Sequence, residues 1–162
     1  YKMYGAYRKF DFQPLERLML EERQRFGVTM IPLRGAAKKI DAILRNKDAV
    51  GTLLDQNADW YNGVFVDFFG RPASTNKGMA ILAMRTKAPV VPMYIAKTNN
   101  TYVVEFLPEI SLQSTGDMIK DIETNTQNYT AAIESMVRKY PDQYFWVHNR
   151  WKTRPYSLIP KK

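Results

Sequence analysis

Short apolar segments alternate with amphipathic segments along the chain, and this alternation constrains the fold more than any other feature. The pattern predicts strands at residues 1–10, 28–33, 49–54, 64–69, 88–96 and 101–108. It predicts helices at residues 13–27, 35–48, 76–87 and 117–140. Strands that alternate with helices are typical of layered α/β folds. We therefore predict an α/β fold with a mixed, mostly parallel central sheet flanked by helices.

Two connections are predicted to be tight turns. The segment "KTNN" (97–100) lies between the last two strands and predicts an antiparallel hairpin. The segment "GRPAS" (70–74) predicts a turn after the fourth strand. No internal repeat and no proline-rich linker divides the sequence, so we predict a single domain over residues 1–162.

The counts of reactive side chains exclude several kinds of site. The sequence has no cysteine and one histidine, His148. Disulfides, thiolate zinc sites, cysteine nucleophiles and multi-histidine metal centres are therefore excluded. Neither a Walker loop nor a G-x-G-x-x-G turn is present, so nothing favours nucleotide hydrolysis or dinucleotide binding. We predict no cofactor and no metal.

The formal charge of +8 is unevenly distributed along the chain. Residues 1–47 carry a net charge of +6, residues 48–137 carry −4, and residues 138–162 carry +6. Basic ends around an acidic middle favour a polyanionic partner such as phosphate, phospholipid or nucleic acid. The alternative is an ordinary solvated surface rich in lysine.

Polar side chains follow two of the predicted strands. Asp55 and Gln56, with Asn57, come directly after the segment 49–54 and are placed to orient a hydroxyl, a phosphate or a cation. The alternative is an Asx turn that ends the strand. Arg8 lies near the end of the first strand, where a guanidinium can hold a phosphate or carboxylate with two hydrogen bonds. The alternative is a surface cation.

The segment "FVDFFGRPAS" places phenylalanines beside a cation. Phe68 and Phe69 cannot both face one side of a sheet, so one of them is expected at a groove or an edge. Phe69, Gly70 and Arg71 together suit an acyl chain with a polar head. The alternative is two layers of an ordinary core.

The segment "PDQYFWVHNRWKTRP" (141–155) combines aromatic and cationic side chains around His148. A catalytic base needs an orienting acid, and Asp142 has no fixed geometry relative to His148. No G-x-S-x-G elbow supplies a nucleophile either. His148 is therefore interpreted as a structural or anion-contacting residue rather than as the catalytic base.

Several blocks, in order and spacing, resemble one family. They are D-Q at 55–56, F-F-G-R-P-A at 68–73, A-P-V-V-P at 88–92 and W-V-H-N-R-W-K-T-R-P at 146–155. This arrangement is similar to the lipid A biosynthesis acyltransferases of Gram-negative bacteria, members of the glycerolipid acyltransferase-like superfamily. The resemblance covers the chain from about Tyr4 to Pro155.

The resemblance implies transfer of a fatty acyl chain from acyl carrier protein to a hydroxyl of a lipid A precursor. It also implies a catalytic H-x4-D/E pair, in which the histidine deprotonates the acceptor hydroxyl. His148 is not followed by an acid at that spacing, so the catalytic residue is expected upstream of Tyr1, together with a membrane-anchoring helix. We therefore expect these residues to be the C-terminal part of an acyltransferase domain, inactive without the rest.

The resemblance further implies substrate-contacting roles for matched positions. These positions are Arg8, Asp55, Gln56, Phe69, Gly70, Arg71, His148, Arg150, Lys152 and Arg154. Tryptophan and tyrosine favour the boundary between membrane and water, and each cation near an anionic surface adds about 1 kcal/mol of attraction. We therefore expect the cytoplasmic face of the bacterial inner membrane as the location, with acyl carrier protein, a lipid A precursor or related glycolipid, and anionic lipid as partners.

Two other functions stay open at this point. Basic ends and aromatic side chains also suit a module that binds single-stranded nucleic acid. The acidic middle and the absence of RNP strands argue against that function, and we expect no nucleic-acid partner. A catalytically inactive homologue that only binds lipid is the other alternative.

Overall fold

The chain divides after Leu53 into two units, which a computed structural model describes over residues 1–156. The first unit is Tyr1–Leu53 and the second begins at Leu54. Each unit has its own strands, helices and buried side chains, and each is described here by itself.

The first unit is a small parallel α/β layer. Its elements are β1 (Met3–Tyr7), α1 (Gln13–Gln24), β2 (Thr29–Pro32), α2 (Ala37–Arg45) and β3 (Ala49–Gly51). The strands lie in the order β2-β1-β3, and both neighbours run parallel to β1. The alternation of strands and helices read from the sequence is confirmed here.

The second unit contains two antiparallel hairpins and two helices. Its elements are β4 (Gly63–Phe68), β5 (Arg71–Asn76), α3 (Gly78–Thr86), β6 (Met93–Thr98), β7 (Thr101–Phe106) and α4 (Met118–Lys139). Short 3₁₀ turns follow at Pro141–Gln143 and Trp146–His148. The hairpin predicted around "KTNN" is confirmed as β6 and β7.

The structure corrects three details of the predicted fold. The strand predicted at residues 49–54 ends at Gly51, so Asp55 does not directly follow a strand. The turn predicted at residues 70–74 is wrong, because all but Gly70 of that segment belong to β5. Over the described residues the strands form three separate sheets, of three, two and two strands, rather than one central sheet. The fold is therefore mixed α/β with one parallel sheet.

The long helix α4 supports the core of the second unit. Asp117 caps it, because its carboxylate accepts hydrogen bonds from the amides of Ile119 and Lys120 at 3.1 Å each. Tyr129 packs with Leu54 and Ala80 in one buried cluster. Val137 packs with Phe68 and Ala73 in a second cluster. Ile133 contacts both clusters, so the helix joins them.

The buried face of α4 is partly polar, which its apolar pattern did not indicate. Met118 was expected on the apolar face of the helix predicted at residues 117–140, but it is exposed. Asp121 and Asn125 are buried instead, and both bind the preceding loop: the amide of Thr115 donates to Asp121, and the amide of Gln113 donates to Asn125. None of the helices in residues 1–156 has the length and apolar content needed to cross a membrane.

Candidate functional site

The turn between β4 and β5 is held in an unusual backbone conformation. Phe69 and Gly70 form a two-residue connection with φ angles of 56° and 71°. Positive φ at both positions matches the twist of a hairpin, but it costs a non-glycine residue about 1–2 kcal/mol. Two carboxylates hold the turn: Glu134 accepts from the amide of Phe69 at 2.7 Å, and Asp67 accepts from the amide of Gly70 at 3.1 Å.

The two adjacent phenylalanines lie in different environments, as the sequence predicts. Phe68 is fully buried, whereas Phe69 is half-buried at the turn. The ring of Phe69 meets the ring of Phe68 edge-on, with 4.8 Å between the ring centroids. The Trp146 ring is tilted relative to Phe69, with 6.0 Å between the centroids. The guanidinium carbon of Arg138 lies 4.5 Å from its centroid. These contacts fix the ring at the edge of the aromatic cluster.

A cationic cavity lies beside this turn. It has a volume of about 260 Å³ and is lined by Arg71, Pro72, Trp151, Arg154 and Pro155. The guanidinium carbon of Arg71 lies 4.5 Å from the centroid of the Trp151 ring, which is a close cation–π contact. Within residues 1–156, no carboxylate forms a salt bridge with Arg71 or Arg154. The structure thus brings two of the predicted site residues together.

The terminal segment, residues 140–156, is pinned to the second unit by polar contacts. Asn57 and Thr153 exchange two hydrogen bonds of 3.0 Å, one to the Thr153 hydroxyl and one from its amide. The Tyr144 hydroxyl donates to the Asp55 carbonyl at 3.0 Å. These contacts fix the position of the segment that carries Trp151 and Arg154. The "DQN" run identified Asn57 as a polar candidate, but it did not predict the contact with Thr153, which is 96 residues away.

Arg150 was expected to contact an anion, and the structure places its side chain in the interior. Only 2% of the residue is exposed. Nη1 donates to the Ser74 carbonyl at 2.8 Å, and Nη2 donates to the Thr75 hydroxyl. The guanidinium carbon lies 5.3 Å from the centroid of Phe68. Burial lowers the pKa of Arg150, while nearby Tyr144 and Asp55 act in the opposite direction.

Asp55 and Gln56 face different surroundings. Gln56 is exposed, whereas the Oδ1 atom of Asp55 is buried and lacks a hydrogen-bond partner within residues 1–156. Nε of Arg150 and Nε1 of Trp151 are buried without a partner in the same part of the chain. The charge of Asp55 also contributes, after burial, to the raised pKa of Tyr144. Asp55 is thus a half-buried residue with one buried carboxylate oxygen, and it interacts electrostatically with Arg150.

The only histidine lies at an exposed apolar tip. Its ring is half-buried and meets Phe145 edge-on at 4.4 Å. Phe145, Trp146 and Val147 are all exposed, although the Trp146 indole N–H donates to the Pro141 carbonyl at 2.8 Å. Lys152 is exposed a few residues further on. We call residues 145–148 the terminal tip.

Arg8 lies in the first unit, where it is exposed directly after β1. A second cavity of about 330 Å³ is found nearby, and Tyr7, Lys9, Glu16 and Arg17 contribute to its lining. Glu16 accepts from the Tyr7 hydroxyl at 2.6 Å, and this bond holds the Glu16 pKa below its usual value. Burial raises the pKa of Tyr7 to about 12. The sequence patterns identified neither Tyr7 nor Glu16.

Among residues 1–156, no cluster of three or more histidine, cysteine, aspartate or glutamate side chains is placed to hold a metal ion. The fold and the site therefore define a mixed α/β protein with a cationic cavity lined by an aromatic ring. The family follows from comparison with known proteins. The model of the bacterial lipid A biosynthesis acyltransferase family matches residues 1–153, and the chain belongs to this family.

Three curated relatives are similar to the chain. A lipid A biosynthesis acyltransferase of Haemophilus influenzae is 33% identical over 135 residues, covering 82% of this chain and 40% of the relative. A lipid A biosynthesis lauroyltransferase of Escherichia coli is 28% identical, covering 93% of this chain and 49% of the relative. A palmitoleoyltransferase of the same organism is 26% identical, covering 94% and 49%. The chain thus spans about half the length, or less, of these relatives.

Proposed function

We propose that the chain is part of an acyltransferase that moves a fatty acyl chain from acyl carrier protein to a hydroxyl of a lipid A precursor. Membership of the family supports this reaction, and the relatives' names specify lauroyl and palmitoleoyl transfer for those proteins. The complete protein is further proposed to have the central, mostly parallel sheet of the glycerolipid acyltransferase-like superfamily.

The cavity between β5 and the terminal segment carries this proposal. Arg71 and Arg154 place two guanidinium groups around about 260 Å³, without a carboxylate that forms a salt bridge with either of them within residues 1–156. Guanidinium groups bind phosphate through paired, charge-assisted hydrogen bonds. Trp151 adds an apolar wall beside them. The cavity therefore suits a phosphate of a glycolipid whose remaining surface is partly apolar.

The other predicted residues take roles that agree with their environments. Arg8 and Lys152 are exposed, so both are available to a phosphate, an acidic carrier protein or an anionic lipid. Gln56 is available to an acceptor hydroxyl in the same way. The half-buried Asp55 and the buried Arg150 hold the terminal segment, Asp55 through its carbonyl and Arg150 through its guanidinium group. Phe69 and Gly70 form the turn that precedes Arg71 of the cavity, and His148 is available at the terminal tip.

The catalytic pair is proposed to lie outside these 162 residues. The single histidine, His148, is followed by Thr153 at the position where the H-x4-D/E motif has its acid. The His148 ring also meets the Phe145 ring edge-on, and no hydrogen bond to a carboxylate is found for it within residues 1–156. We therefore expect no acyl transfer from the 162-residue chain alone.

The proposed location is the cytoplasmic face of the bacterial inner membrane. The terminal tip exposes aromatic side chains, and Lys152 and Arg154 provide positive charge nearby. Aromatic rings at the interface together with cations attract a protein to anionic lipid.

The test uses the complete protein, expressed in a Gram-negative strain whose lipid A lacks late acyl chains. We expect the mass of lipid A to rise by one acyl group. Arg71→Gln with Arg154→Gln is expected to reduce this product at least about tenfold, because two charge-assisted contacts to phosphate are lost. Arg34→Gln, at an exposed cation of the first unit, is the matched control and should leave the product unchanged. Unchanged lipid A with the wild-type protein would contradict the proposed reaction.

A further inference from the structure

One face of the hairpin formed by β6 and β7 is apolar, and no other part of residues 1–156 covers it. Side chains that are directly opposite in an antiparallel pair lie on the same face of the sheet. Three such pairs share this face: Met93 with Phe106, Ile95 with Val104, and Lys97 with Tyr102. The five residues of this set other than Lys97 are between 48% and 72% exposed. We call this surface the outer hairpin face.

The opposite face of the same hairpin is partly covered, although Val103 on that face is 40% exposed. Ala96 is buried there, and the Tyr94 hydroxyl donates to Glu105. Glu105 also accepts from Lys139 of α4 at 2.7 Å. The only acidic residue of the two strands therefore points away from the outer hairpin face. The charge that remains on the outer face is the single positive charge of Lys97.

The size and charge of the outer hairpin face favour lipid over a second protein surface. Two strands of six residues present a face of about 20 Å by 10 Å, which is roughly 200 Å². A stable protein–protein interface needs about 800 Å² from each partner. Two copies of this face would also bring two Lys97 charges together. A bilayer surface has neither constraint, since each apolar side chain that enters it contributes independently.

The residues at the end of the face suit the boundary between headgroups and acyl chains. Lys97 and Tyr102 are opposite each other, and both have an apolar body with a polar end. Met93, Ile95, Val104 and Phe106 supply the apolar part. The side chain of Gln143 forms two hydrogen bonds, of 2.8 and 3.0 Å, with the backbone of Lys97. Because the terminal tip begins two residues after Gln143, it is attached close to this hairpin.

We propose that the outer hairpin face contacts a lipid bilayer, with its apolar side chains at the headgroup boundary and Lys97 directed toward anionic headgroups. This inference rests on the membrane location proposed above and assigns it to a surface that the cationic cavity does not include. The terminal segment supplies attraction that depends on anionic lipid. The outer hairpin face supplies apolar contact that persists on uncharged lipid.

The first experiment measures co-sedimentation with phosphatidylcholine vesicles, with and without phosphatidylglycerol. Ile95→Glu with Val104→Glu is expected to weaken binding to both kinds of vesicle by at least about tenfold, because two apolar side chains are replaced by charges. The control is Met118→Glu with Ile119→Glu, which changes two exposed apolar residues and adds the same charge. Acidic residues are tolerated there because Met118 and Ile119 lie at the start of α4.

The second experiment uses the absence of cysteine from the sequence. Val104→Cys carries an environment-sensitive fluorophore, which is expected to shift to shorter wavelength when vesicles are added. The same label at Ile119→Cys is expected to show no shift. A label at Val104 that stays in an aqueous environment would overturn the proposal.

The two proposals fail in different ways. If Lys152→Gln with Arg154→Gln abolishes vesicle binding while Ile95→Glu with Val104→Glu leaves it intact, the outer hairpin face is excluded and the cationic segment is retained. If the acidic hairpin variant instead converts a dimer to a monomer in sedimentation velocity without changing vesicle binding, the face binds a second copy of the chain. Equal loss in the Met118 and Ile119 control would assign the effect to net charge and also overturn the proposal.

Discussion

The two hairpins of the second unit have the same topology and strand length but different environments. Strands β4 and β5 enclose Phe68 and Ala73, which are fully buried, and they also bury Ser74 and Thr75. Strands β6 and β7 bury only Ala96 among their twelve residues. From composition alone, β6 and β7 should be the more buried hairpin, since "TYVVEF" in β7 is typical of a buried strand and "RPASTN" in β5 is not. Burial here follows from which segments pack on each hairpin.

Arg150 of the terminal segment and helix α4 both cover the hairpin of β4 and β5. Arg150 donates to the Ser74 carbonyl and the Thr75 hydroxyl of β5, in addition to the bonds that these groups make with the Ala58 amide and the Ala73 carbonyl. α4 supplies Val137 against Phe68 and Ala73. The polar strand β5 can be buried because Arg150 supplies hydrogen-bond donors to its polar groups.

The largest test of this difference compares one phenylalanine from each hairpin. Phe68→Ala is expected to lower the free energy of unfolding by about 3–5 kcal/mol, because a fully buried ring is lost from a packed aromatic cluster. Phe106→Ala is expected to cost less than about 1 kcal/mol, because most of this side chain is already exposed. Urea unfolding followed by tryptophan fluorescence measures both, since all three tryptophans lie in the second unit. Equal costs would show that both hairpins are covered.

The next test removes the buried cation. Arg150→Ala is expected to cost about 2–4 kcal/mol, because the buried Ser74 carbonyl and Thr75 hydroxyl each lose a charge-assisted hydrogen bond and a cavity opens beside Phe68. Arg154→Ala, at an exposed cation of the same segment, is the control and should change stability by less than about 0.5 kcal/mol. Similar effects of the two substitutions in urea unfolding would mean that Arg150 is at the surface, as the sequence suggested.

A third test examines how closely β4 and β5 pack at one end. A Cβ atom on Gly63 would lie 2.0 Å from the Ser74 hydroxyl oxygen and 2.8 Å from the Asp59 carbonyl oxygen. Because one of these atoms belongs to the backbone, Gly63→Ala is expected to cost about 1–3 kcal/mol. Gly51→Ala is the control, since its nearest neighbour would be the Tyr4 carbonyl at an ordinary 3.8 Å. Thermal unfolding of both variants measures the difference.

The sequence predicted the fold unevenly, for identifiable physical reasons. Helix α4 and the hairpin of β6 and β7 were recognised because an amphipathic pattern and an asparagine-rich turn are local signals. Strand β5 was missed because its residues favour turns and because Phe69 adopts a backbone conformation that its type disfavours. That conformation depends on Glu134, which is 65 residues away.

The candidate site was predicted by resemblance more than by local pattern. Arg71 and Arg154 were both named from family blocks, and the structure places them around one cavity. Arg150, Lys152 and Arg154 were all expected to contact the substrate. Instead, the fold directs Arg150 into the interior and leaves Lys152 and Arg154 exposed. No local signal separates these residues, because the separation depends on β5 accepting the Arg150 side chain.

The smallest expected effect concerns the partly covered face of β6 and β7. The hydrogen bond from Lys139 holds the pKa of Glu105 below its usual value of 4.5, and the hydrogen bond from Tyr94 makes a smaller contribution in the same direction. A carboxyl group whose folded-state pKa is depressed stabilises the fold above its unfolded pKa, and this stabilisation is lost as pH falls through the folded-state value. We therefore expect hydrogen exchange of the β6 and β7 amides to accelerate, relative to the intrinsic rate, as pH falls below about 4.5. Glu105→Gln should show no such dependence. Its relative exchange should match, at every pH, the faster rate that the wild type reaches only at low pH. If the wild type and Glu105→Gln respond to pH identically, the contact with Lys139 does not hold this hairpin in place, and both of its faces are equally free.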